Sequence, residues 1–508
     1  MPKFKHYNQY QSMLLPPSLV DCLRESHICF LINDIVDNLD LSVILKTYSD
    51  NGCPAYSPRL IIKVLFYGHT QGIRSSRKIE NKMNEDIAFR FLAANQLPDH
   101  GTINLFRKNH LTALKEIFPQ IVALSNSLAM IDPSDISVDG TKCKANASKK
   151  NLFDQEEIDR LEKKFADYFA EAEAIDAAED KLFGDSVGYN TVSGLVDPEK
   201  RKKKIKEMIE KMEKLKKAEK NIKDKQDQTK TKEEKGLKKN STSNTTDPDA
   251  NLMKMKDKSF QMAYNAQFAT SNQIITAYDL NNEATDVKSL QPMIQESEKN
   301  TGEKVKTVKA DAGYFSTDNL NFCDDNQIDA YIPDEMKSVE ERQERKNEVP
   351  KHDRRNFQYN QEKNEFICPE GKALKFKRLK GNVTRLYAGT ECESCPHKAQ
   401  CTKGKTRNLI INFQSEKKLK TMRAKLNTEN GKSKYLERMS EIEPVIGNIK
   451  YNQQFTHFLC RGKPMVLIEL GLASIAHNLV KIFHCLKRNN QSRAEISWNT
   501  LMRLRTAC

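Results

Sequence analysis

A short apolar segment that ends beside an aspartate and a glycine occurs twice in this chain, and this repetition limits the folds available to it. The first segment covers residues 136–141 and contains Asp139, and the second covers residues 305–313 and contains Asp311. Each segment predicts a β-strand that stops at the aspartate. Catalytic carboxylates often lie at such strand ends, although an Asp-Gly pair after a strand is also a common turn. We therefore expect a sheet that carries two acids at strand ends.

The elements predicted after the first of these strands indicate a fold class. Residues 260–270 and 274–280 predict a hairpin, Asp286 is expected to cap a helix, and residues 328–332 predict a fifth strand. The order of three strands, a helix, a strand, a helix and a strand is that of a ribonuclease H-like α/β fold with a mixed sheet. We take this fold as the predicted core.

The core is predicted to be discontinuous, since two stretches of different composition interrupt it. Apolar residues recur at helical spacing in two runs after the first strand, which predicts two long helices paired as an antiparallel hairpin. A later stretch is charged, rich in turn residues and contains clustered cysteines, so it is read as a second insertion. In chain order, the predicted units are an all-α N-terminal domain (1–125), the core (130–150 and 255–336), the helical hairpin (151–228), a flexible linker (229–254), the Cys-rich insertion (337–430), the C-terminal core helices (431–490) and a tail (491–508).

Basic residues mark two of these units. In the N-terminal domain, Ser57-Pro58 signals a helix start, and further helices are predicted over 75–91 and 102–114. Short basic helices suit a helix-turn-helix that reads DNA, although small helical domains have many other roles. The basic run at 201–204 of the hairpin either contacts DNA or belongs to a scaffold or dimerisation arm. The N-terminal residues considered are Arg74, Arg77, Lys78, Arg107 and Lys108.

The net charge favours a polyanionic partner. With 83 Lys and Arg against 69 Asp and Glu, the formal charge is +14, so nucleic acid is the first candidate and an acidic membrane surface the second. The sequence has no uninterrupted apolar run of about 18 residues and no secretory signal pattern at its start. We therefore expect a soluble cytoplasmic protein without a membrane segment.

Four cysteines form a cluster with metal-ligand spacing. Cys368 is followed by Cys392 and Cys395, separated by two residues, and by Cys401. Four thiolates with one such knuckle can form a closed tetrahedral zinc site, which would anchor an insertion too small to build its own core. Other readings are an iron–sulfur cluster, unligated thiols, or a site in which His397 replaces one cysteine. Structural Zn²⁺ is the preferred hypothesis.

The motifs around these residues resemble a known family. VDGTK contains Asp139, KADAGYF contains Asp311, and YLERMSEIEPVIGNIK contains a Tyr-Arg-Glu-Lys series. In this order, they are similar to the DDE transposases of bacterial insertion sequences, in the subgroup with a Tyr-Arg-Glu-Lys signature. The similarity extends to YSPRLIIKVLFYGHTQGIRSSRKIE near the start of the chain and to RGKPMVLIELGLASIAHNLVKI near its end. The series consists of Tyr435, Arg438, Glu443 and Lys450.

The resemblance implies roles for individual residues. Asp139, Asp311 and Glu443 would hold two Mg²⁺ (or Mn²⁺) ions, which suit oxygen ligands and in-line phosphoryl transfer. Tyr435, Arg438 and Lys450 would assist with the DNA of the transposon end.

The third acid has an alternative. The usual gap of three residues between Arg and Glu is four here, so Glu441 stays a candidate. Glu443 is preferred because Lys450 follows it by seven residues, two helical turns on the same face. Pro444 is expected to make the helix kink or restart at Glu443.

The resemblance also implies an activity. A transposase would bind the terminal inverted repeats of its element, cleave the DNA and transfer the freed 3′-hydroxyl to target DNA. It would work as a homodimer on paired ends of double-stranded DNA, in the bacterial cytoplasm at the nucleoid. The alternatives are a catalytically inactive or domesticated DNA-binding protein, and a ribonuclease H-like nuclease that cuts but does not join.

Overall fold

The computed structural model describes residues 18–49, 53–167, 198–230, 242–345, 349–381 and 383–489. Predictions for 168–197 of the hairpin, for 231–241 of the linker and for the tail 491–508 lie outside the described residues. Helices dominate the first part of the chain, and the first strand begins at Asp135.

The N-terminal region is helical, as predicted, but two of its helices are broken. The helix predicted over 75–91 divides at Asp86, whose carboxylate caps a new helix by accepting from the Ala88 N–H at 2.8 Å. The helix predicted over 102–114 divides at His110. The helices are α1 (Ile28–Asn38), α2 (Ser42–Leu45), α3 (Pro58–Thr70), α4 (Ser76–Glu85), α5 (Ile87–Leu92), α6 (His100–Asn109) and α7 (Leu111–Ser127).

Strands in the described residues form three sheets. The strands are β1 (Asp135–Lys144), β2 (Leu152–Phe153), β3 (Ser243–Asn244), β4 (Asn251–Lys254), β5 (Phe260–Ser271), β6 (Ile274–Asn281), β7 (Thr307–Ala310), β8 (Asp329–Tyr331), β9 (Gln358–Asn360), β10 (Glu365–Ile367), β11 (Ala373–Lys380), β12 (Thr384–Gly389) and β13 (Asn408–Ile411). The largest sheet has the order β4-β5-β1-β7-β8, with β6 also paired to β5; a second has the order β13-β12-β11-β10-β9, and β2 pairs with β3.

The large sheet is mixed. β5 pairs antiparallel with both β1 and β6, whereas β1 and β7 pair in parallel, as do β7 and β8. Together with the helices between these strands, this mixed α/β arrangement is consistent with the predicted ribonuclease H-like core. The hairpin between β5 and β6 turns at Asn272 and Gln273, which both have positive φ angles, as a tight two-residue turn requires.

The first predicted strand is longer than expected. It does not stop at Asp139 but continues to Lys144, because β5 pairs with it along residues 137–144. Only the pairing with β7 ends here, at Val138 opposite Ala310. Asp139 therefore lies within β1, at the point where its neighbour β7 separates from it.

The remaining helices lie between and after these strands. Residues 155–167 form a helix, here called α8, which packs against the next helix through Ile158, Leu215, Ala218 and Ile222. The described part of the predicted hairpin is thus a pair of packed helices. The others are α9 (Pro198–Lys230), α10 (Leu290–Thr301), α11 (Thr317–Asp325), α12 (Lys337–Arg345), α13 (Lys398–Cys401), α14 (Phe413–Asn427), α15 (Glu429–Glu441), α16 (Glu443–Gly447) and α17 (Lys463–Arg488).

The prediction of a flexible linker over 229–254 is wrong for residues 242–254. Strand β3 pairs with β2, and strand β4 joins the large sheet. Asn244 donates to the Ser148 carbonyl at 2.7 Å, and buried Asp247 accepts from the Tyr264 hydroxyl at 2.7 Å. Polar side chains with buried partners order this segment, which its lack of apolar periodicity did not reveal.

The Cys-rich region builds a small core of its own, contrary to expectation. Its five-stranded antiparallel sheet buries six apolar residues, and α14 leaves it to pack against α11 and α15. The sheet therefore ends before residue 413, earlier than the predicted boundary at 430. The buried residues are Phe357, Phe366, Leu374, Tyr387, Leu409 and Ile411.

Helix α17 connects the two ends of the chain. It packs against α3, α7 and β6, so the N-terminal helices share one apolar core with the sheet rather than forming a separate body. The predicted inward face is buried and consists of Ile468, Leu472, Ile475, Leu479 and Ile482. By length and composition α17 could span a membrane, but 78% of its most apolar window is buried within the fold, as in a core helix.

Candidate active site

The fold brings the two predicted aspartates side by side. Asp139 follows Val138 on β1, and Asp311 follows Ala310 on β7, and these two preceding residues are register partners. Asp139 retains 20% of its side-chain exposure, whereas Asp311 is exposed and caps a short 3₁₀ turn by accepting from the Ala312 N–H at 2.8 Å. The two carboxylates therefore stand at the same level of the sheet, on neighbouring strands.

Arg438 joins the first and third predicted acids. Its guanidinium lies 3.2 Å from Asp139 Oδ2 and 3.6 Å from Glu443 Oε1. The same group lies 5.7 Å from the ring centroid of Tyr435, one turn earlier on α15. Burial raises the pKa of the Asp139 carboxyl, the Arg438 charge opposes this rise, and the Asp311 charge adds to it. Side chains from two distant segments, β1 and residues 435–443, thus meet around one cation.

Glu443 begins a new helix, as the proline after it predicted. Helix α15 ends at Glu441, and α16 starts at Glu443 with Pro444 in its first turn. The Glu443 side chain is 49% exposed, so it faces the solvent side of the site.

Glu441 points to a different partner. Its carboxylate lies 3.0 Å from the ammonium of Lys309 and accepts from the Ser137 hydroxyl. Lys309 is fully buried and also lies 2.8 Å from Asp135 Oδ1 and 3.4 Å from Glu437 Oε2. Burial alone would lower the pKa of Lys309, but its bonds to Asp135 and Glu441 raise it. Glu441 is therefore the counter-ion of a buried lysine.

Asp286 is a further acid beside the site, and the sequence reasoning assigned it a different role. It stands before a 3₁₀ turn (Val287–Ser289) but does not cap it with its side chain. Its Oδ1 instead accepts from Asn265 Nδ2 at 2.7 Å and from Gln267 Nε2 at 2.8 Å, and Gln267 accepts from the buried Tyr314 hydroxyl. The polar residues Asn265 and Gln267 in the middle of an otherwise apolar strand were the available signal.

Asp286 also explains the glycine after each predicted acid. A Cβ atom at Gly140 would lie 2.7 Å from Asp286 Oδ1, and one at Gly313 would lie 3.1 Å from Asp286 Oδ2. The Asp-Gly and Asp-Ala-Gly motifs therefore leave space for this side chain to approach both strands.

Lys450 contacts the strand that carries Asp139. It belongs to a π-helical turn (Asn448–Asn452), and its ammonium donates to the hydroxyl of Thr141, two residues after Asp139 on β1. Single π-helical turns occur frequently at functional sites. All six predicted carboxylate-site and DNA-side residues thus come from strand β1, the end of β7 and the segment 435–450.

Two families match this chain. One, described as a transposase domain (DUF772), matches residues 17–109, and the other, described as a transposase DDE domain, matches residues 367–483. Together, the two matches indicate an insertion-sequence DDE transposase. The second match contains the Tyr-Arg-Glu-Lys series, whose subgroup assignment stays a prediction, whereas Asp139 and Asp311 precede it. Comparison with curated proteins and with solved structures gave no match.

DDE transposases generally use divalent metal ions. Among the described residues, no group of three or more His, Cys, Asp or Glu side chains is arranged to hold a metal ion. In the carboxylate site, the Arg438 guanidinium supplies the positive charge between Asp139 and Glu443. The donors present are carboxylate oxygens, the type that Mg²⁺ and Mn²⁺ prefer, so their chemistry fits these ions.

The four clustered cysteines of the transposase line one cavity of about 30 Å³. The Lys372 N–H donates to Cys368 Sγ at 3.3 Å, and the Arg407 N–H donates to Cys392 Sγ at 3.4 Å. Burial raises the pKa of the Cys401 thiol, and the other three sulfurs contribute to the rise. The four thiols thus share one small cavity and receive backbone N–H donors, but they are not arranged as a metal site here, so structural Zn²⁺ stays a prediction.

The N-terminal basic residues of the transposase divide into two groups. Arg74 is buried and pairs with Glu469 at 2.8 Å, while its guanidinium lies 4.4 Å from the ring centroid of Phe455. Arg107 is also buried, so neither arginine presents its charge to DNA. Residues Arg77, Lys78 and Lys108 are exposed and stay candidates for DNA contact.

Proposed function

We propose that this transposase binds the terminal inverted repeats of its element, cleaves the DNA at them in a metal-dependent reaction and joins the freed 3′-hydroxyl to target DNA. The observation that carries the proposal is the position of Arg438, which contacts both Asp139 and Glu443. Two carboxylates from segments about three hundred residues apart converge on one positive charge, beside Asp311.

Asp139, Asp311 and Glu443 would hold the metal ions. When bound, Mg²⁺ or Mn²⁺ lowers the pKa of a water molecule and stabilises the charge that develops on phosphate oxygens. Asp139 is held by the Gly140 N–H at 2.8 Å, and Asp311 by the Ala312 N–H at 2.8 Å. These bonds fix the two carboxylates in orientation, while Glu443 at a helix start remains accessible from solvent.

Tyr435, Arg438 and Lys450 would contact the DNA end. A guanidinium that pairs with carboxylates can exchange them for a phosphate, because both present oxygen pairs that match its planar donors. Tyr435 packs beside Arg438 and limits the directions that the guanidinium can take. Lys450 would supply a second positive charge beside Thr141, two residues after Asp139.

The Cys-rich sheet would carry a structural Zn²⁺ ion held by Cys368, Cys392, Cys395 and Cys401. Its own core is only six residues, so cross-linking two loops through sulfur ligands would stabilise it. The assembly would be a homodimer on paired DNA ends in the cytoplasm, associated with the nucleoid, with the helical pair α8–α9 as an arm.

The test uses the full-length protein, DNA fragments with the inverted repeats that flank its reading frame, and a target plasmid. In Mg²⁺ we expect cleavage at the repeat and joined products, and Asp139→Asn and Asp311→Asn should bind the fragments but produce neither. Cleavage without joining would indicate a nuclease instead. Binding without cleavage by the unaltered protein would indicate an inactive DNA-binding protein.

A further inference from the structure

A basic groove borders the proposed active site. It has a volume of about 650 Å³ and lies between β1, β4 with the turn after it, and the π-helical turn. Asp286 and Asn265 line its inner end, so the groove opens next to the carboxylates. The lysines that line it are Lys142, Lys144, Lys254, Lys256 and Lys450.

The charges of this groove are unbalanced. Five lysines face two aspartates, Asp257 and Asp286. The Asp286 carboxylate is already hydrogen-bonded to Asn265 and Gln267. Burial lowers the pKa of Lys450, and the nearby charge of Lys256 adds to this effect, while Cys143 and Asp139 oppose it. Concentrated like charges raise the energy of the folded chain, and a polyanion in the groove would relieve this repulsion.

An exposed aromatic ring stands at the rim. Tyr451 follows Lys450 in the π-helical turn and lines the groove, yet 80% of its side chain is exposed. An aromatic face in solvent beside a row of lysines is the combination that single-stranded nucleic acid recognises, with bases stacked on the ring and phosphates on the lysines.

We propose that this groove binds single-stranded DNA, with phosphates on Lys254 and Lys256 and an unpaired base stacked on Tyr451. A base can stack on the ring only when it has left its own stack, so an intact duplex would gain little from Tyr451. The inference rests on the proposed function, because it names the DNA strand that would lie beside the carboxylates of the transposase.

The first experiment measures binding of the full-length protein to an oligothymidine by fluorescence anisotropy, without divalent metal. Tyr451→Ala should weaken binding about 5- to 150-fold, and Tyr451→Phe should bind like the unaltered protein. Binding of an unrelated blunt duplex should not change in Tyr451→Ala. Unchanged binding of the oligothymidine, or an equal loss on the duplex, would overturn the stacking role.

The second experiment measures how oligothymidine binding depends on salt. Each phosphate contact in a single strand contributes about 0.7 to the slope of log affinity against log salt, so Lys254→Ala combined with Lys256→Ala should reduce the slope by about 1.4. The matched control is Lys304→Ala, since Lys304 is 83% exposed and pairs with Glu298. An unchanged slope in the double variant would overturn the groove as the binding site.

Cleavage of end fragments by the unaltered protein separates this inference from the proposed function. If the unaltered protein cleaves the ends and the groove variants bind the oligothymidine normally, the groove is not the single-strand site but the proposed function stands. If the unaltered protein neither binds nor cleaves the ends and the groove variants bind the oligothymidine weakly, the groove is a DNA site but the proposed function is wrong. The three substituted side chains are exposed, so they are expected to change stability by less than about 0.5 kcal/mol.

Discussion

The ammonium group of Lys309 lies 3.0 Å from the carboxylate of Glu441, and the lysine side chain is completely buried. Each residue stands two positions before a proposed metal ligand, Lys309 before Asp311 and Glu441 before Glu443. Ser137, which donates to Glu441, stands two positions before Asp139. This buried pair therefore ties together the three segments that present the proposed acids.

Replacing Lys309 with Met is expected to lower the free energy of unfolding by about 3–5 kcal/mol, because it leaves the partly buried carboxylate of Glu441 without its cation, while Asp135 and Glu437 keep only Lys434. Combining it with Glu441→Gln should recover part of the loss, since one of those charges is then removed. Chemical denaturation measures both values. Lys304→Met is the control, and a loss below about 1 kcal/mol in Lys309→Met would mean that the pair behaves like a surface ion pair.

Much of this fold follows from sequence patterns, and the exceptions have physical causes. The buried face of α17 has strong helical periodicity, and the β5–β6 hairpin consists of two strand-like runs around a short turn; both lie where predicted. Long-range polar contacts carry no such signal: the partners of Lys309 lie 128 to 174 residues away along the chain. The ordered segment 242–254 likewise depends on Tyr264 and Ser148, which a local pattern does not include.

The candidate site was likewise predictable from the sequence only in part. The family resemblance implied that Asp139, Asp311, Arg438 and Glu443 share one site, and the structure brings these residues together. The bonds of Asp286 to Asn265 and Gln267 were not predicted, because they join a loop to the middle of another strand.

Gly140→Ala is expected to destabilise the protein by about 1–3 kcal/mol, since its methyl group would force Asp286 and Gln267 from their positions. Gly447→Ala is a matched control, because a Cβ atom there meets nothing within 4 Å in the described structure. In a helix that change should be neutral or stabilising by up to about 1 kcal/mol. Thermal unfolding compares the two variants, and equal effects would contradict the close approach at Gly140.

The stability of the fold should fall as the pH falls from about 6.5 toward about 4. Burial lowers the pKa of His477 from 6.5 to about 4, so the unfolded chain binds more protons in this window. The ring is held as neutral imidazole, because Nδ1 lies 2.8 Å from the Asn448 amide nitrogen and Nε2 lies 2.8 Å from the Gln273 carbonyl oxygen. Each such histidine contributes a slope of up to about 1.4 kcal/mol per pH unit.

Unfolding measured at several pH values tests this assignment. His477→Gln should have a shallower pH dependence than the unaltered protein, whereas His484→Gln, at an exposed position, should not differ from it. Equal slopes in all three proteins would show that His477 does not carry the effect.

Purified protein is expected to contain about one zinc ion per chain, held by the four clustered cysteines. Cys392→Ser should lose this zinc and destabilise the Cys-rich sheet, while Cys53→Ser, an exposed free cysteine, should retain it. Elemental analysis of protein prepared without chelators measures the content. Iron in place of zinc would point to an iron–sulfur cluster, and the absence of both metals would exclude a metal-bound cluster.

The most direct test of the proposed active site compares Glu443→Gln with Glu441→Gln in Mg²⁺-dependent cleavage and strand transfer of end fragments. Glu441 pairs with buried Lys309, whereas Glu443 pairs with Arg438 beside Asp139, so we propose that Glu441 serves stability and that Glu443 holds the metal. Glu443→Gln is therefore expected to bind the ends like the unaltered protein and to reduce both reactions to background, while Glu441→Gln cleaves but unfolds more easily. Cleavage that persists in folded Glu443→Gln and disappears in folded Glu441→Gln would contradict this account.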